Sequence, residues 1–111
     1  MFSGWSPPPG SRRYTDAMAR TTHAVLESSG ATDVKLRWAV FHRRTADIPP
    51  NLRPYVEKVA RHAYKVTDED IETLKDSGYS EDAIYEITAA AALGAAIWRL
   101  ERGLIALHHT S

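Results

Sequence analysis

With no cysteine among its 111 residues, this chain has neither a disulfide, nor a thiolate metal site, nor any thiol chemistry, so its chemistry must come from carboxylates, histidines and hydroxyls. The five histidines are His23, His42, His62, His108 and His109. No two of them stand four apart with a carboxylate between, the spacing by which one helix face holds a metal, so neither a metal nor a cofactor is expected. His62, between Arg61 and Tyr64, reads as a half-buried helix residue rather than a general base. The acidic cluster Asp68, Glu69, Asp70 and Glu72 lacks the glycine and the alternating ligands of a calcium loop, and reads as a helix N-terminus, where the dipole favours negative charge. No Ser-His-Asp order, phosphate-binding glycine loop or dinucleotide fingerprint is present.

Glu86 stands out, because it opens the uncharged run Ile87 to Trp98 (ITAAAALGAAIW), which Arg99 closes. A carboxylate entering a buried helix is costly unless it is paired. Two readings fit: an ion pair or hydrogen bond to an arginine from the basic half of the chain, or a carboxylate facing a ligand.

The elements that hold these residues are helical. No segment alternates with period two, and the class expected is all-α. Residues 1–13, broken by Pro7-Pro8-Pro9, read as an extended N-terminal arm, and residues 14–111 as a single helical domain of about five helices. The first helix should begin at Thr15 and stop at Gly30, with Met18, Thr22, Val25 and Leu26 on one face. A second should run from Thr32 or Asp33 to about Thr45, with Arg43-Arg44 as its wet end. After Ile48-Pro49-Pro50, a stripe of Leu52, Tyr55, Val56, Val59, Ala60 and Ala63 predicts a third, ending near Lys65. Thr67 with Asp70 makes a capping box for a short fourth that buries Ile71 and Leu74 and ends at Gly78-Tyr79 in a Schellman turn. Ser80 then caps a long, alanine-rich last helix reaching about Arg102 or beyond, with Gly103 as a candidate end or bend. Its uncharged run has no polar face to offer water, so this helix is expected at the centre of the fold.

Composition sets the outer bounds. Hydrophobic residues at 43% and charged residues at 25% describe one ordinary globular domain. Lys plus Arg and Asp plus Glu both number 14, so no global field draws in nucleic acid. The balance conceals an asymmetry: residues 12–65 carry eleven basic against five acidic side chains, and residues 66–111 carry three against nine. Basic and acidic faces should therefore meet within the fold or between subunits. The apolar run is shorter than the roughly 20 residues of a membrane span, and the proline-rich start lacks the basic n-region of a signal peptide. A cytoplasmic protein without nucleic-acid or membrane partners is the expectation.

The segment Leu52 to Leu107 resembles the AhpD-like superfamily, the alkylhydroperoxidase-D and carboxymuconolactone decarboxylase families. The residues that carry the likeness are Gly78-Tyr79-Ser80-Glu81-Asp82-Ala83-Ile84, Glu86, the alanine-rich helix and Arg99. The resemblance implies a compact helical domain and an oligomer. It also implies a Cys-x-x-Cys pair, a histidine and a glutamate, yet this chain has Ala63 and Val66 at the cysteine positions, Asp70 at the histidine and Val59 at the glutamate. Thiol-based peroxide reduction is thereby excluded. The polar groups left near that site are Tyr64, Asp70 and Glu86. The expected function is a non-redox, self-associating AhpD-like module, structural or binding a small organic ligand. The alternative is a carboxymuconolactone-decarboxylase-type enzyme that uses Tyr64, Asp70 and Glu86 on a small organic acid.

Overall fold

The computed structural model describes residues 12–110, and among these the secondary structure is entirely helical. Five α-helices follow one another: α1 (Arg12–Glu27), α2 (Val34–His42), α3 (Arg53–His62), α4 (Asp68–Asp76) and α5 (Glu81–Thr110). Two 3-10 turns join them, Thr45–Asp47 between α2 and α3 and Ala63–Lys65 between α3 and α4. The expected arm, 1–13, lies outside the described residues except for Arg12 and Arg13, which already belong to α1.

The local signals explain most boundaries. Asp33 caps α2 by accepting from the Lys35 N–H at 2.9 Å. Thr67 and Asp70 close a reciprocal capping box on α4, so Asp serves where Glu or Gln is usual. Gly78, at φ 101°, lets the chain leave α4 in a Schellman turn: its N–H donates to the Lys75 carbonyl and the Tyr79 N–H to the Leu74 carbonyl. Ser80 accepts from the Ala83 N–H at 3.1 Å and starts α5.

Several boundaries differ from the sequence reading: α1 already begins at Arg12 rather than Thr15, and α3 ends at His62, with Ala63–Lys65 as a 3-10 turn. α2 ends at His42 rather than near Thr45, because Arg43 takes a left-handed conformation (φ 52°) and turns its N–H back to the Ala39 and Val40 carbonyls. α1 ends at Glu27, and Gly30 is not among the positive-φ residues, so its role is not that of a left-handed stop. α5 runs straight through Gly103, a position where helix continuation costs only backbone entropy.

α5 packs against each of the other four helices, which makes it the centre of the fold. Ile87, Ala90, Ala91 and Ile97 on α5 meet Leu26, Val40, Phe41, Leu52, Val56 and Val59 in one core. Each large side chain in it contributes about 1.5–3 kcal/mol through burial. The run is not covered all round, however: Ala92, Ala96 and Trp98 are exposed, so one stripe of α5 has no partner within the chain. Nor does the helix stop at the run, and Glu81–His109 is long and apolar enough to cross a bilayer by length and composition. A core helix passes that test as readily as a membrane span.

Candidate functional site

Glu86 projects from the second turn of α5 toward the loop between α1 and α2. Its carboxylate accepts from the backbone N–H of Ala31 at 2.7 Å, from that of Thr32 at 2.8 Å and from the Thr32 hydroxyl. Arg37 completes the cluster, with its Nε 4.0 Å from Glu86 Oε1. Burial pushes the Glu86 carboxyl up, but the Thr32 hydroxyl, the two N–H donors and the Arg37 charge outweigh it, and the pKa lies below the usual 4.5. Of the two readings of Glu86, the geometry gives the first: its oxygens are turned to a loop of this chain.

Arg37 is buried, with 2% of its surface exposed. Its Nη1 donates to the Val25 carbonyl at 3.1 Å, and its Nη2 to the Ser28 and Thr32 carbonyls at 2.7 and 3.3 Å. One guanidinium thus satisfies carbonyls left over at the end of α1 while its charge faces Glu86. Its Nε has no hydrogen-bond partner, so toward Glu86 the arginine acts by charge alone. The sequence reading passed over Arg37; the available signal was a charged residue set among the apolar Leu36, Trp38, Ala39 and Val40 of the second helix.

Asp70 is bound up in another way. Its carboxylate accepts from the Thr67 N–H at 2.9 Å and from Lys58 Nζ at 3.0 Å to both oxygens, which ties α3 to the start of α4. The Thr67 backbone bond, followed by Lys58, holds its carboxyl below the ordinary value. Tyr64 sits on the 3-10 turn and is 81% exposed, with the His62 ring edge-on at 6.0 Å and Lys65 Nζ 5.9 Å from its ring centre. His62 is exposed rather than half-buried. Tyr64, Asp70 and Glu86 therefore serve three separate places: a solvent-facing turn, the α4 cap and the α1–α2 loop.

The residues that do converge are others. Arg43, Arg61, His62, Trp98 and Arg99, with buried Ala60 and Ala95, line an open cleft of about 380 Å³ where the ends of α2 and α3 meet the outer face of α5. Arg99 Nη2 donates to the Ala60 carbonyl at 2.9 Å and so holds the end of α3. Arg61 Nε pairs with Glu57 at 2.7 Å. A second cavity of about 180 Å³ adjoins it, sharing Arg43 and Trp98 and adding His42 and Glu101. The residues of the larger cleft come from three separate stretches of the chain, at Arg43, Ala60 to His62 and Ala95 to Arg99, which share no motif, so only their hydrophobic or basic character was legible beforehand.

No family model, curated protein or solved structure matches this chain.

Proposed function

We propose that this chain is a non-redox module of AhpD-like type, cytoplasmic and self-associating, that holds a small organic ligand without transforming it. The observation that carries this reading is the commitment of the polar groups expected at the site. Asp70 caps α4 and bridges to Lys58, and Glu86 holds the α1–α2 loop with Arg37. A carboxylate already engaged by several structural donors, and whose pKa is lowered, is a poor general acid or base near neutral pH. With no cysteine in the chain, thiol-based peroxide reduction has no nucleophile.

Self-association is supported by the uncovered stripe of α5. Tyr85, Ala92 and Ala96 are exposed, with Ala89 half-buried among them, and they recur at spacings of four, three and four. That is the period of a helix seam packing against another helix, with small residues that permit close approach.

The test is a turnover assay on the full chain with an alkyl hydroperoxide and a dithiol, together with light scattering after gel filtration. The expected outcome is no peroxide consumption above the protein-free rate, and a mass that is a multiple of 12.4 kDa. Dithiol-dependent turnover, or a single-chain mass at micromolar concentration in both low and high salt, would overturn it.

A further inference from the structure

The cleft beside Trp98 gathers three guanidiniums and no carboxylate: Arg43 from the end of α2, Arg61 from the end of α3 and Arg99 from α5. In a space of about 380 Å³ these charges lie within reach of one another, since the screening length at physiological salt is about 8 Å. Glu57 offsets Arg61 from outside the cleft, and Glu101 lines only the adjoining cavity, so the groove as a whole keeps a positive excess. Arginine offers five N–H donors. Arg99 spends Nη2 on Ala60 and Arg61 spends Nε on Glu57, while the Arg43 side chain has no hydrogen bond or ion pair among the described residues.

The backbone at Arg43 points the same way. It is the only non-glycine residue with positive φ among those described, at the C-terminal position of a helix where glycine is the unstrained choice. An arginine kept in that conformation places a guanidinium at the cleft at the expense of backbone strain, the kind of outlier found at ligand sites. Beside it the Trp98 indole is 56% exposed, a large apolar surface next to convergent cations.

We propose that this cleft binds a small aromatic carboxylate, its carboxylate held by the guanidiniums of Arg43 and Arg99 and its ring lying against Trp98. Planar guanidinium forks match a planar carboxylate; the Arg102 guanidinium lies over the Trp98 ring, 5.7 Å from its centroid, and the other face of the indole is the one a ligand ring would stack on. The volume lies within the range of about 300–1,000 Å³ typical of small-ligand sites. Zero net charge over the whole chain sets this local cleft apart from a nucleic-acid surface.

The inference rests on the ligand-holding part of the module reading, and its test is separate from turnover. Calorimetric titration of the full chain with benzoate is compared with cyclohexanecarboxylate and inorganic phosphate as probes. Benzoate should bind saturably and more tightly than either. Arg43→Gly should weaken it by about tenfold or more, the loss of a charge-assisted contact, without lowering the melting temperature, because glycine relieves the strained backbone. Trp98→Ala should narrow the preference for benzoate over the saturated ring. Absence of saturable benzoate binding, unchanged affinity in Arg43→Gly, or phosphate binding as tightly as benzoate would overturn the assignment. Peroxide turnover would overturn the module reading and leave the cleft standing.

Discussion

A β-carbon built on Gly94 would stand 2.1 Å from the backbone carbonyl oxygen of Phe41, so α2 and α5 cross with the main chain of one against the main chain of the other. The obstacle is backbone, which cannot swing aside as a side-chain tip can. Gly94→Ala should therefore destabilise the fold by about 1–3 kcal/mol or more through overpacking, despite the gain in helix propensity. Gly103→Ala on the same helix meets nothing within 4 Å and should stabilise by about 0.5–1 kcal/mol. Urea midpoints of the two variants, moving in opposite directions, check both statements.

The Arg37–Glu86 cluster should be the costliest polar feature to break. Arg37→Ala leaves Glu86 without its buried counter-charge and abandons the Val25 and Ser28 carbonyls, and it should cost about 3–5 kcal/mol. Chemical denaturation measures this directly, and a loss below 1 kcal/mol would contradict the arrangement.

Acid should expose the same cluster. The folded pKa of Glu86 lies below the ordinary 4.5, so its contribution is complete above that pH and is lost as pH falls through the folded value. Wild-type stability should fall more steeply below about pH 4.5 than that of Glu86→Gln, which has no charge there to lose. Asp70, Glu81 and His42, whose pKa values are also lowered, act equally in both proteins, so the difference isolates Glu86.

Gly30 is the space in which the Glu86 carboxylate sits. A β-carbon there would come within 2.5 Å of Oε2 and 2.7 Å of the carboxyl carbon. Gly30→Ala should push the carboxylate off the Ala31 and Thr32 donors and cost about 1–3 kcal/mol. In a Glu86→Ala background the same change should cost much less, and that non-additivity in a double-mutant cycle is the decisive measurement.

Arg43→Gly should raise the melting temperature. A left-handed conformation costs an L-residue about 1–2 kcal/mol, of which glycine's greater unfolded-state freedom returns part, so a net gain of about 0.5–1 kcal/mol is expected. A lower melting temperature would mean that the arginine side chain holds the fold rather than a ligand.

What the sequence determined by itself was local. Caps at Asp33, Thr67 and Ser80, the glycine stop at Gly78 and the apolar spacing along α3 act between residues a few positions apart, and each formed as its chemistry requires. The centrality of the last helix was legible as well, because an uncharged run of that length has to bury most of its surface. Tertiary structure decided the rest. Gly30 read as a helix stop, yet its place is set by Glu86, 56 positions away, whose carboxylate needs the room. Arg43 read as a wet end, yet it turns the chain and reaches a cleft shared with Arg61, Trp98 and Arg99. Glu86 was legible as a carboxylate in need of a partner, but nothing in the spacing names Ala31, Thr32 and Arg37 as that partner. Pairings of this kind depend on which helix faces cross and at what angle, and that is settled by the packing of all five helices at once.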